Sequence, residues 1–457
     1  MTDRPVRHAP PQPDAERPGQ MTRRAALGGA LFGLPLALSG CGWLGGESAP
    51  PLPGKRIDVM SASAALDVDP ALTTPVSLPP PVTGLDWPQQ GGNAAHDPGI
   101  PATPASLSKL WTTDIGEGTA YRHLIPCPPV VSHGSLYAMS ARGEVSSHAI
   151  KDGTTQWRTQ VRPKGSRSFD VGGGLSADGD AVYAGTGFGE VLRFDAATGK
   201  IRWRTPVVAP ARSAPTIAGK HLFVELLDSS ILALDVEKGN VIWSHQARSP
   251  QTSVLGLPAP AVSGSIVVAG FGSGDLLALN VESGEVLWSD NLGATGSGLS
   301  QFSAIVGMPV INRGRVYVGS LGGVVLSIDL PTGRRLWERD FATGQTAALG
   351  GDWLFQLSTD QRLGCLSAAT GQVKWVHQMP SFTNMKKLRN PIYWWGPVLA
   401  GPNLVLVSDH GELATVDPIT GKPGAVIRMP APATVAPIAA EGRVLVTLKS
   451  GDVVAYG

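Results

Sequence analysis

Apolar and polar positions alternate over short runs through most of the chain, and turn-forming words rather than helical periodicity separate the runs. In "SAPTIAGKHLFVELLDSSILALDVEKGNVIWSH", Ser213 to His245, the pattern predicts strands near Thr216, from Leu222, from Ile231 and from Val241. Turns fall at "AGK", "LDSS" and "EKGN". The last turn and strand recur as "ATGKIRWRT" from Ala197, "ESGEVLWSD" from Glu282, "PTGRRLWER" from Pro331 and "ATGQVKWVH" from Ala369.

The recurrence keeps a register. A strand-opening Pro precedes a turn Gly by 24 positions in five units: Pro129 and Gly153, Pro215 and Gly239, Pro260 and Gly284, Pro309 and Gly333, Pro397 and Gly421. Leu175 and Ala347 fill the Pro slot in two further units, and Pro437 opens the last. Four residues after the turn Gly stands a tryptophan: Trp157, Trp203, Trp243, Trp288, Trp337 and Trp375. Asp195, Asp235, Asp329, Asp417 or Asn280, four residues before the Gly, can accept backbone N–H groups and hold the turn. Such a unit cannot cover its own apolar faces, so the units stack, and the expected fold is all-β: an eight-bladed β-propeller of four-stranded antiparallel blades. The Trp is expected to wedge between neighbouring blades with its indole N–H on nearby backbone. The eighth unit ends at Gly457 before a turn Gly and Trp, while an orphan strand, "SKLWTTDIG", carries Trp111 upstream of the first unit. Pairing of that strand with Val453 to Tyr456 is predicted to close the ring and remove an open sheet edge. Unit seven departs, with Ala425 in the Trp slot. The connections between units vary in length, which marks one face as the working face.

Composition sharpens this picture. Gly 57, Pro 39 and only 16% charged residues suit turn-rich β structure, and a net charge of +1 leaves no electrostatic footprint for nucleic acid. Of three cysteines, Cys41, Cys127 and Cys365, none is placed for a disulfide framework. Cys41 follows Arg23, Arg24 and the uncharged run "AALGGALFGLPLALSG", so residues 1–40 read as an export signal. "LSGC" resembles a bacterial lipobox, which makes Cys41 the lipidated residue after cleavage. "TRRAAL" from Thr22 loosely resembles a twin-arginine signal, and Met21 would give a signal of ordinary length. Residues 41–85, rich in Pro, Ala and Ser, read as a disordered tether, and 86–457 as the propeller.

A search for catalytic or ligand chemistry returns little. "GTGFGE" from Gly185 and "GFGSG" from Gly270 precede strands and lack the spacing of a phosphate loop; no GxSxG occurs, and nine His are scattered without metal-ligand spacing. Thus no catalytic, cofactor-binding or metal residues are assigned. "NMKKLRNPIYWWGP", Asn384 to Pro397, mixes cations with aromatics in the longest connection. It reads either as an interface or as a cover over the start of blade seven with solvated charges.

Taken with "WPQQGGNAAHDPG" from Trp87, these repeats and the lipobox resemble the BamB family, propeller lipoproteins of the bacterial outer-membrane β-barrel assembly machinery. The resemblance implies a non-catalytic scaffold, lipid-anchored at the periplasmic face of the outer membrane, without cofactor. Its partners would be a BamA-like barrel protein and the other lipoproteins of the assembly complex. By this resemblance Val207, Val208 and Arg212, before "SAPT", are candidates for partner binding. In the next connection Leu255 and Leu257, which stand where some members carry acids, are further candidates for partner binding. PQQ-like repeats also occur in quinoprotein dehydrogenases, whose vicinal Cys pair is absent here. A quinoprotein-type or small-ligand-binding periplasmic propeller remains the alternative, and an adaptor for another envelope complex is a third reading.

Overall fold

A computed structural model describes residues 66–164, 172–249, 256, 258–293 and 303–457. Within them the chain forms eight four-stranded antiparallel sheets, numbered here as blades 1 to 8 in the order of their opening strands. Blade 3 is representative, with Thr216–Ala218 innermost, then His221–Glu225, Ser230–Asp235 and Val241–Gln246 at the rim. Its two middle strands are almost wholly buried because blades cover them on both faces, and the rim strand alternates between half-buried and exposed. Each apolar cluster joins consecutive blades. Tyr183 and Leu222 unite blades 2 and 3, and Ala455 and Leu136 unite blades 8 and 1.

The ring closes as the orphan strand required. Lys109–Asp114 pairs antiparallel with Asp452–Tyr456, placing Trp111 opposite Ala455, so the first strand of the ring is the rim of blade 8.

The recurring turn and tryptophan form one lock between each pair of consecutive blades except blades 7 and 8. Trp243 of blade 3 lies over Gly284 of blade 4, where a Cβ would come within 2.6 Å of the indole, and its Nε1 donates to the Val281 carbonyl at 2.9 Å. Trp111, Trp157, Trp203, Trp288, Trp337 and Trp375 donate in the same way to Ile150, Ala196, Val236, Leu330, Ala368 and Pro418 of the following blade. Gly is therefore required twice, for its positive φ and for the missing Cβ. The preceding Asp or Asn caps the turn as expected; Asp235 accepts from the N–H groups of Glu237 and Lys238. Ala425 in blade 7 now has a reason. It faces blade 8, whose last two strands are the two ends of the ring rather than a hairpin, so no turn exists for a Trp to grip. Thr415 Oγ1 instead takes the Ala425 N–H at 2.8 Å.

Two expectations are corrected. The disordered tether drawn over 41–85 is too long, because residues from Leu66 onward pack on the ring. Leu66 is fully buried between blades 5 and 6, and the Asp69 N–H donates to Val373 O at 2.9 Å while its carboxylate receives Gln372 Nε2 at 2.8 Å. Few apolar residues suffice there because each meets an already folded blade. Blade 7 opens at Trp394, earlier than Pro397, with the strand Trp394–Ala400, and a hairpin of Phe382–Asn384 and Arg389–Pro391 precedes it.

From Leu78 to Pro101 the chain then crosses one face of the ring and touches every blade. Leu78 packs on Gly350 of blade 6, and the Leu85 carbonyl accepts from Glu441 of blade 8. Trp87 exchanges two backbone hydrogen bonds with Val131 of blade 1, Pro88 accepts from Ala177 of blade 2, and the Gln89 amide brackets Ile217 of blade 3. Ala94 and Ala95 accept from Val262 and Ile311 of blades 4 and 5, and Pro101 accepts from Gly401 of blade 7. "WPQQGGNAAHDPG" is thus a plug that uses the inner strands' free backbone groups.

Candidate functional site: the open face and its cavity

The described connections between blades lie on the face opposite the plug. The connection from blade 2 to blade 3 is pinned at both ends. The Val207 N–H donates to Gly189 O at 2.9 Å and its side chain packs on the blade 2/3 core, while Ala211 N–H donates to Thr186 O at 3.0 Å and Arg212 N–H to Glu225 O at 3.0 Å. Between these anchors Val208 stands 84% exposed. The Arg212 side chain folds back over Gly172 of blade 2. Val207, Val208 and Arg212 are therefore brought together on one rigid loop, with Val207 as its root and Val208 as its tip. Leu255, Leu257 and Cys41 lie outside the described residues. Trp111, Trp157, Trp203, Trp243, Trp288, Trp337 and Trp375 sit at the rim, far from any opening, in the locks described above.

Beneath this loop the sequence concealed a buried carboxyl group. Glu225 ends the second strand of blade 3 fully buried, and neither carboxylate oxygen has a hydrogen-bond partner. Burial raises its pKa well above the usual value, partly opposed by the nearby Gly270 N–H. The available signal was positional: the matching residues of other blades are Met139, Gly185, Gly270, Gly319, Leu357, Val407 and Thr447, none of them ionisable.

The centre of the same face holds a cavity of about 140 Å³, floored by the plug and walled by the openings of blades 5 to 8 and 1. His96 Nδ1 donates to the Pro309 carbonyl at 2.6 Å, which leaves Nε2 as the bare nitrogen. Burial lowers its pKa to about 4, so the ring is neutral, and the buried Trp87 Nε1 has no partner. The remaining polar lining is amide and hydroxyl, from Gln90, Gln345 and Thr346, with no Lys or Arg. Cys127 and Cys365 are buried at blades 1 and 6, and burial pushes the Cys365 thiol up, away from the thiolate that redox chemistry uses. Among the described residues no cluster of three or more His, Cys, Asp or Glu could hold a metal.

Against known families, residues 106–377 match the one described as outer membrane protein assembly factor BamB. The chain belongs to the BamB family.

It is 25% identical to BamB of Yersinia pestis over 363 residues, covering 77% of this chain and 89% of that protein. With BamB of Escherichia coli K12 it shares 24% identity over 352 residues, 75% of this chain and 87% of that one. Among solved structures, BamB from Moraxella catarrhalis superposes with a TM-score of 0.65 at 21% identity, over 77% of this chain and 99% of that chain. Quinohemoprotein alcohol dehydrogenase from Comamonas testosteroni reaches 0.64 at 13% identity, over 81% of this chain and 80% of that chain. These similarities establish the fold that BamB shares with dehydrogenases. The chain itself is a non-catalytic factor of outer-membrane protein assembly. Its cavity agrees: a quinone cofactor bearing carboxylates would be desolvated there without one cation to pair with, and the lining does not fit it.

Proposed function

We propose that this BamB-family propeller is a scaffold, lipid-anchored through Cys41 at the periplasmic face of the outer membrane, that grips the periplasmic part of a BamA-like barrel protein with its open face. The observation that carries this reading is the blade 2/3 loop: an apolar tip, Val208, held 84% exposed by backbone bonds on both sides of it. A preorganised apolar anchor loses little entropy on docking, and such anchors dominate interface energy. Tyr121, 96% exposed with Arg122 beside its ring at 5.9 Å, adds an aromatic contact from the connection between blades 8 and 1. Other assembly lipoproteins would reach the complex through the barrel protein.

The test is co-purification from gently solubilised outer membranes of the native host, read by mass spectrometry, with Val208→Asp as the variant. Recovery of a barrel protein by the wild type and its loss with Val208→Asp, at unchanged protein level and thermal midpoint, is the expected result. Equal recovery by both would overturn the loop assignment, and recovery of an oxidoreductase instead would overturn the scaffold reading.

A further inference from the structure

Between blades 6 and 7 the chain projects the hairpin Phe382–Asn384 and Arg389–Pro391 from the open face. Its base is fixed. Ile392 and Trp394 are buried, Ile392 N–H donates to Ser381 O at 2.9 Å, Trp394 Nε1 to Pro380 O at 2.8 Å, and Tyr393 N–H to Asp409 Oδ1 at 2.9 Å. Its tip is the reverse: Met385 and Leu388 are 56% and 64% exposed, and Lys386, Lys387 and Arg389 are exposed beside them. Nothing in the local sequence offsets the charge. From residue 363 to 408 the chain holds four cations (Lys374, Lys386, Lys387 and Arg389) and no Asp or Glu. Exposed apolar side chains interspersed with unopposed cations on a rigid tip have the chemistry of an interfacial anchor. The stems enter the headgroup layer and the ammonium and guanidinium groups meet lipid phosphates.

A second observation selects a lipid surface over an acidic protein. The described chain begins beside this same hairpin. Leu66 packs on Gly364, Asp67 lies 3.7 Å from Arg362, and the adjacent Gln361 holds the hairpin base through the N–H groups of Met379 at 2.9 Å and Trp394 at 3.0 Å. Cys41 stands 25 positions before Leu66 (66 − 41), so the anchored segment joins the ring at the end of blade 6 that carries the hairpin. We infer that the 382–391 hairpin is a second membrane contact, binding anionic phospholipid headgroups and setting how the ring faces the bilayer. The direction of the membrane rests on the anchored reading above, whereas the lipid chemistry rests on the hairpin alone.

Residues 58–457 include every blade, the plug and the ring-closing strand, and form one compact unit, so they can be tested without Cys41. The fragment is sedimented with vesicles of phosphatidylethanolamine and phosphatidylglycerol, and in parallel with phosphatidylcholine vesicles. Partition to the anionic vesicles, weakened by added salt, is expected. Each cation near an anionic surface is worth about five-fold in partition, so Lys386→Gln, Lys387→Gln and Arg389→Gln together lower it on the order of 100-fold. Met385→Ser with Leu388→Ser also lowers it, leaving the salt dependence in place; with the tip exposed, neither set shifts the thermal midpoint. Absence of binding, or equal binding by the triple variant, overturns the inference. Loss of a co-purifying protein by the hairpin variants with unchanged vesicle partition would assign the tip to an acidic protein partner instead. Vesicle binding and barrel-protein capture through Val208 fail independently, so a failure of either assay identifies which reading is wrong.

Discussion

The lock between blades makes a quantitative prediction, because two glycines share a backbone conformation and differ in what surrounds them. Gly284 has φ +72° and Gly314 has φ +74°. A Cβ on Gly314 meets nothing within 4 Å, whereas a Cβ on Gly284 lies 2.6 Å from Trp243. Gly314→Ala therefore costs only the left-handed conformation of an L-residue, about 1 kcal/mol. Gly284→Ala bears that cost and must also displace the indole. The displaced ring loses its hydrogen bond to Val281, about 1 kcal/mol, and its tilted packing on Phe223 at 5.8 Å, about 1 kcal/mol more. The expected loss is thus about 3 kcal/mol for Gly284→Ala, against about 1 kcal/mol for Gly314→Ala. Denaturant unfolding of both variants beside the wild type, with m-values compared, measures the difference. If the two variants lose the same stability to within about 0.5 kcal/mol, the wedge contributes nothing beyond turn geometry and the reasoning fails.

Leu66→Ala should destabilise the ring by about 2–4 kcal/mol, read as a lower thermal midpoint, because the residue fills a site between blades 5 and 6; a tether residue would show no change. His96 has a folded pKa of about 4 against an ordinary value of 6.5, so below pH 6.5 the unfolded chain binds a proton that the native chain refuses. Stability then falls with pH through that window, by about 2 kcal/mol at pH 5, and melting curves of His96→Gln should show a shallower acid limb. Glu225 has the opposite sign. Its raised folded pKa costs stability as pH rises above the usual carboxylate range, so Glu225→Gln should raise the thermal midpoint at neutral pH, with the gain vanishing near pH 4.

The sequence by itself determined the repeat, the blade count, the position of each lock and the strand that closes the ring. All of these are written locally: a turn Gly, the Asp or Asn that caps it and the Trp four residues on fit within one hairpin, and repetition exposes their register. Val208 was singled out as a candidate by the family resemblance, while its exposure depends on backbone bonds of its loop to Gly189 and Thr186. Only the tertiary structure decided the rest. Asp69 meets Gln372 across 303 residues of chain, and the stretch from Leu78 to Pro101 touches all eight blades, so no local pattern could show that 66–101 is ordered. Glu225 sits in an apolar run that predicts a strand correctly, yet nothing in the run says that both faces are covered. The cations beside Trp394 and Trp395 were visible. Their separation into a buried aromatic base and an exposed tip required the hairpin, because whether a side chain meets solvent is set by its neighbours in space and not by its neighbours in sequence.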